Sequence, residues 1–292
     1  MSDTLASLRR KIDGAVKLKS VVRTMKAVAA SSIGQYEAAV RSLGDYEHSV
    51  ELGLSLCFRQ HGAMATSTKR RSNEAVGAIV FGSDQGLVGQ FNETVAEFTQ
   101  AKLNTLTGQK KLWVVGERTY GRLADSGIPI AAQYSVPSSV DGITELVQQL
   151  QIALEEKKAN SATEMYVFHA RPTSSSLYEP VCQRLLPFDA KWQKTLTKIP
   201  WPTKKLPEIF GRSEATLRAL IREYLFIVLF RACAESLASE NASRLASMQR
   251  AEKNINSLSK ELSRGFYRLR QNSIDEELFD VIAGFNSLSS TK

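Results

Sequence analysis

The sequence predicts an α/β class fold with two long α-helices, one from each end, that pair as an antiparallel coiled coil around an inserted Rossmann-like, doubly wound domain. Three observations carry this. From Ser213 to Phe285 there is no proline, and the glycines are Gly265 and Gly284. At ~1.5 Å per residue that stretch makes a helix on the order of 100 Å long, whereas an ordinary globular helix stops after about three or four turns. From Leu5 a heptad seam can be counted through Leu8, Ile12, Ala15, Lys19, Val22, Lys26, Ala29, Ile33, Tyr36, Val40, Leu43, Glu47, Val50, Leu54 and Cys57, apolar at all but Lys19, Lys26 and Glu47. Such a seam belongs to a helix lying along another helix. Between the two, short apolar runs alternate with helical stretches, the pattern of a mostly parallel sheet.

The first helix is expected over residues 1–58. Gly14, Gly34, Gly44 and Gly53 weaken it by about 1 kcal/mol each relative to alanine, so packing must hold it. Residues 59–75 read as a polar, basic linker with Lys69, Arg70 and Arg71. The α/β domain and its connector span 76–211. Strands are expected at Val76–Phe81, Leu112–Val115, Ile128–Tyr134, Met165–His169 and Val181–Leu186, with helices near Glu93–Leu106, Glu117–Ser126 and Ile143–Lys157. All eight prolines fall between Pro129 and Pro207, and Pro187 to Pro207 reads as an irregular connector. The second helix occupies 212–286, with Ser213 as N-cap and Glu214 near the positive end of the helix dipole; residues 287–292 form a tail. Its apolar stripe runs through Leu217, Leu220, Tyr224, Ile227, Leu245, Met248, Ile255, Leu258, Leu262, Phe266 and Leu269. Ala232, Ala234, Ala238, Ala242 and Ala246 let a neighbouring backbone approach.

Composition narrows the function classes. Net charge is +8 over 292 residues, which does not by itself demand nucleic acid. The three cysteines Cys57, Cys182 and Cys233 have neither metal-ligand spacing nor a disulfide framework, which suits a reducing cytosol. The longest apolar run, Tyr224–Phe230, is too short to cross a bilayer. The N-terminus lacks a signal-peptide pattern, so a soluble chain without membrane insertion is expected.

The turn from Gly82 to Gly89 (sequence GSDQGLVG) follows a strand and opens a helix, a place where phosphates are often cradled. Its glycine spacing fits neither the dinucleotide fingerprint nor the P-loop. We therefore expect a structural turn held by Asp84, Gly86 and Gly89, with Gly86 and Gly89 permitting a sharp reversal. His48, His61 and His169 lack ligand or triad spacing, and Ser174–Ser176 lacks a nucleophile elbow. Asp275, Glu276, Glu277 and Asp280 read as a solvated face. Arg9, Arg10, Lys11, Lys17, Lys19, Arg23 and Lys26 carry no aromatic interleaving that would suit nucleic acid. They read as a charged coiled-coil exterior or a docking surface for an acidic protein. No catalytic, cofactor or metal residue is assigned.

Taken together, the segments Leu8–Ile12, Thr24–Ser31, Ser83–Gly89 with Asn92, Leu185–Pro187, Ala238–Arg244 and Arg270–Glu277 resemble, in order, those of the gamma subunit of F-type ATP synthases. The likeness covers nearly the whole chain. Asp275 stands where that family usually has Thr, Phe285 follows Gly284 where it usually has Ala, and Gln85 and Val88 stand where it often has Arg and Cys. These departures suit a divergent bacterial version. The resemblance implies a rotor shaft inside a ring of alpha and beta subunits, with the epsilon subunit and a membrane c-ring at the α/β domain. It implies a peripheral position at the cytoplasmic face of the bacterial inner membrane, no catalysis by this chain, and no cofactor. It also implies rotor–stator contacts at Arg9, Lys11, Arg23, Met25, Lys26, Arg268, Arg270, Gln271 and Glu277, with Arg268, Arg270 and Gln271 level with Arg23–Lys26. The alternative is a coiled-coil scaffold whose α/β domain binds a nucleotide or phosphorylated ligand at the glycine turn.

Overall fold

The computed structural model describes residues 4–61, 75–158, 162–174, 177–205, 207–209 and 213–289. Among them the chain runs α1 (Leu5–His61), β1 (Ala75–Phe81), α2 (Phe91–Asn104), β2 (Lys110–Val115), α3 (Glu117–Ala124), β3 (Ile130–Tyr134), α4 (Val140–Lys158), β4 (Ala162–Arg171), β5 (Glu179–Leu186), α5 (Ala190–Leu196) and α6 (Ser213–Ser289). Most of the expected linker, with Lys69, Arg70 and Arg71, lies outside the described residues, as do Ser175 and Ser176.

The strands form one sheet in the order β3-β2-β1-β4-β5. β1 pairs in parallel with β2 and β4, β2 pairs in parallel with β3, and β4 pairs antiparallel with β5. The antiparallel edge follows from chain length: only residues 172–178 join β4 to β5, and a parallel return needs a crossover of a dozen residues or more. Because side chains alternate across a strand, β1 feeds two cores. Ile79 and Phe81 pack with Trp113, with Ile143, Val147 and Leu150 of α4, and with α1 and α6. Val76, Ala78 and Val80 pack with Phe91, Val95 and Leu103 of α2 and Leu123 of α3 on the other face.

The heptad seam of α1 is real in its packing. Leu8, Ala15, Val22, Ala29, Tyr36, Leu43, Val50 and Cys57, each seven residues from the last, are all buried. The chain divides into two compact units. One holds residues 29–244, because Tyr36, Ala39 and Leu43 of α1 and Leu225 to Ala238 of α6 share the core of the sheet. Within it α1 and α6 run antiparallel: Glu47 pairs with Arg231, and Gly53 faces Leu220 further back along α6. The other unit is a helix pair formed by the outer parts of α1, up to Val28, and of α6, from Leu245.

The connector expected to be irregular contains α5. Asp189 caps it, its carboxylate accepting from the Lys191 N–H at 3.0 Å. The helix is seven residues long, and with prolines on both sides its periodicity is too short to read.

Candidate functional site

In open α/β sheets the crevice for ligands lies beyond the carboxyl ends of the strands, where the chain order reverses. Here that point is between β1 and β4. The turn after β1 is tied down by the Asp84 carboxylate, which accepts from the Glu117 N–H at the start of α3 and from the Val136 N–H beyond β3, both at 2.8 Å. Ser83 O accepts from the Arg118 N–H at 3.0 Å. The Thr119 hydroxyl donates to Asn92 Oδ1 at 2.7 Å and accepts from the Ser83 N–H at 3.3 Å. Asp84 thus links the ends of three strands.

The conformational demand of this turn differs from expectation at one position. Gly89 is left-handed (φ 61°), but so is Leu87 (φ 65°), while Gly86 is not. A Cβ on Gly86 would meet nothing within 4 Å, so neither crowding nor backbone angle explains a glycine there. The close approach is instead at Gly82, where a Cβ would lie 1.8 Å from Thr119 Oγ1.

The crevice itself is filled by α6. Ser236, Ser239 and Ser243 are buried on one side of the helix. Their hydroxyls donate to Phe81 O at the end of β1 (3.3 Å), to Ala170 O near the end of β4 (3.1 Å), and to Val88 O in the turn (2.5 Å). Between them the Glu240 carboxylate accepts from Arg244 at 2.5 Å. Burial pushes the Glu240 carboxyl up and Asp84 adds to this; the charge of Arg244 and hydrogen bonds from Arg244 and Ser83 pull the other way, and the net direction is upward. Beside them, Glu235 accepts from His169 Nε2 at 2.9 Å and Arg171 Nε at 3.3 Å. Burial pushes the Glu235 carboxyl up, but the hydrogen bond and charge of His169, with those of Arg171, outweigh it and hold it below the usual range. Burial raises the thiols of Cys57 and Cys233, and takes that of Cys182 to about 11, so none is poised as a thiolate at neutral pH.

Outside the turn lies an open cleft of about 830 Å³, lined by Asp84, Leu87, Glu93, Glu117, Arg118 and Arg122 among others. Glu93 and Arg122 pair across it. Among the described residues no group of three His, Cys, Asp or Glu could hold a metal ion, and no helix is long and apolar enough to cross a membrane.

In the helix pair, Arg23 Nε and Lys26 Nζ converge on Glu252 at 3.1 and 2.6 Å. The hydrogen bond from Lys26, then that from Arg23, holds the Glu252 carboxyl below its usual value. Glu252 therefore occupies the place where Arg268, Arg270 and Gln271 were expected. At 1.5 Å per residue, Arg268 lies about 24 Å further along α6 than Glu252. Arg9, Lys11, Arg268, Arg270, Gln271 and Glu277 are exposed, and Met25 is half-buried. Val16, Leu18, Val21 and Val28 on α1, and Ile274, Leu278, Phe279 and Val281 on α6, are all more than half exposed despite being apolar.

Sequence reasoning missed Glu252, the three serines, the Glu240–Arg244 pair and the Glu235 cluster. Glu47, an acidic residue in an apolar seam, was a usable signal, since a seam charge needs a partner; it has Arg231. The serines gave none, because a small polar residue on a helix reads the same whether it faces water or a carbonyl.

A family model described as ATP synthase matches residues 4–288. The ATP synthase gamma chain of Frankia casuarinae is 28% identical over 302 residues, spanning 99% of both chains. That of Persephonella marina is 26% identical, covering 96% of this chain and 97% of its own. Among solved structures, the rotor of Euglena gracilis mitochondrial ATP synthase superposes with a TM-score of 0.64 at 13% identity, covering 92% of this chain and 98% of that one. The central stalk of the Tetrahymena thermophila mitochondrial enzyme gives 0.58 at 18%, covering 79% and 99%. The structural likenesses speak to the fold.

Proposed function

The chain belongs to the ATP synthase family, and from that premise we propose that it is the gamma subunit, the central rotor shaft that couples ion translocation to ATP synthesis or hydrolysis in a ring of alpha and beta subunits. The observation that carries this reading is the filled crevice. The helix that closes the ligand position of the α/β domain, α6, is the same 77-residue helix that runs on into the helix pair.

A rod with one face unlike the next must meet three equivalent ring subunits differently at any instant. Turning it biases each through states of different nucleotide affinity. The chemistry belongs to the ring, and this chain transmits. The apolar residues left outward on the helix pair, with the basic residues Arg9, Lys11, Arg23 and Lys26, suit a sleeve that is apolar in part and acidic in part. Arg268, Arg270, Gln271, Glu277 and Met25 belong to the same proposed contact surface. The epsilon subunit and the membrane c-ring are the proposed partners of the α/β domain. The proposed location is peripheral, on the cytoplasmic face of a bacterial inner membrane. A scaffold binding nucleotide in the strand-end crevice is disfavoured, since α6 stands where such a ligand would.

Reconstitution tests this. The pure chain should hydrolyse no ATP, and alpha and beta subunits should gain rotary, coupled ATPase activity only when it is added. Turnover by the pure chain that survives Asp84→Asn, or a ring whose activity ignores the chain, would overturn the proposal.

A further inference from the structure

Inside the α/β domain α6 buries Leu225, Leu229, Phe230 and Leu237 in the core of the sheet, with Ala232, Ala234 and Ala238 among them, and apolar burial of this kind is non-directional. What is directional in this contact is polar. Ser236, Ser239 and Ser243 follow one another at spacings of three and four, which puts their hydroxyls on one face. They reach three separate acceptors, on β1, on β4 and on the turn after β1. Ser239 shares its proton with Glu235 O of its own helix at 2.8 Å, so its bond to β4 adds orientation without freeing a donor. A one-residue shift of α6 moves every hydroxyl by about 1.5 Å and about 100° and breaks all three bonds at once. A hydrogen bond persists only within narrow limits of distance and angle.

We propose that Ser236, Ser239 and Ser243 are positioning residues that set the rotational angle of α6 in the sheet and hold it under torque. This rests on the rotor reading. A twist applied to the outer part of α6 is resisted in the domain by directional bonds to backbone carbonyls, two on strands and one in the turn, which cannot swing aside as side chains do. Each such bond favours the set angle over a slipped one roughly fivefold, and the three act together because one helix face carries them.

The test uses the assembled, membrane-reconstituted complex. It compares the wild type with Ser239→Ala, with Ser243→Ala, with the triple serine-to-alanine variant, and with Val147→Ala. Val147 is a fully buried residue of α4 in the same core, and its truncation lowers stability without touching α6's hydrogen bonds. ATP hydrolysis, ions pumped per ATP, and the torsional stiffness of the rotor against a probe fixed to the α/β domain are read in each. The triple variant should keep hydrolysis while pumping per ATP falls several-fold and stiffness drops. The single variants should show a graded part of this, and Val147→Ala should lower the melting temperature with coupling unchanged. Wild-type coupling and stiffness in the serine variants would overturn the inference, and so would an equal loss of coupling in Val147→Ala. If the triple variant does not assemble, the two single variants decide in the same way. A wild-type chain that confers no coupled turnover would instead sink the rotor reading itself.

Discussion

Gly82→Ala should be among the most damaging single-methyl changes in the α/β domain. The new Cβ would lie 1.8 Å from Thr119 Oγ1, 2.4 Å from its Cβ and 2.9 Å from its Cγ2. Rotating the threonine does not help, because its own Cβ is fixed by α3. Thr119 is fully buried, and its hydroxyl joins the Ser83 N–H to Asn92 Oδ1. Forcing the two elements apart costs about 1–3 kcal/mol as overpacking, and parting the buried hydrogen bonds costs about 1–3 kcal/mol more. A total near 3 kcal/mol lowers the melting point of a unit this size by roughly 6–12 °C. Fluorescence of Trp113, Trp192 and Trp201, all in this unit, reports its unfolding. The double variants isolate the cause. Thr119→Ala removes the Oγ1 at 1.8 Å but keeps the Cβ at 2.4 Å and should relieve Gly82→Ala only in part, whereas Thr119→Gly removes both and should relieve the steric clash further. A drop under about 2 °C for Gly82→Ala, or equal rescue by alanine and glycine at 119, would refute the steric account.

Two further outcomes follow from the turn and the helix pair. Gly86→Ala should change stability by less than about 0.5 kcal/mol, whereas Gly89→Ala, at φ 61°, should cost about 1–2 kcal/mol; equilibrium denaturation of the two variants measures the contrast. Glu252→Gln should weaken the helix pair at neutral pH. Since the folded Glu252 carboxyl is depressed by Lys26 and Arg23, its stabilisation is present above the unfolded value of about 4.3 and is lost as pH falls through the lower folded value. The wild-type and variant melting curves should therefore converge in acid and at high salt.

What could be read in the sequence was whatever repeats. The seam from Leu8 to Cys57 returns every seventh residue, and each of those residues is buried; a period sustained over so many turns has no other physical source. Strand positions came from apolar runs flanked by turn residues; the observed strands extend four of the five by one to three residues at the N-terminal end, and most C-terminal ends coincide. The first residues of β3 fell short, since Ile128 precedes the strand. What could not be read was register. The seam aligns α1 with some stretch of α6, but a shift by two heptads leaves the pattern of apolar residues equally satisfied. The resemblance to the gamma family implied Arg268 and Arg270 beside Arg23, and the structure has Glu252 there. Nor could the turn's glycines be ranked, because Gly82 and Gly86 look alike until the helix that crowds one of them is in place.

The same limit explains why a phosphate cradle stayed the alternative to the structural turn expected there. A strand, a glycine-bearing turn and a helix are needed for both, and the sequence between Gly82 and Asn92 supplies them. The structure resolves the choice more than a hundred residues later, where Ser236, Ser239 and Ser243 bring hydroxyls to carbonyls of β1, of β4 and of the turn itself. A ligand at that place would have to displace α6 and its three hydroxyl bonds, together with the Glu240–Arg244 pair. The crevice of a fold widely used to bind nucleotides is closed here by a helix of the same chain.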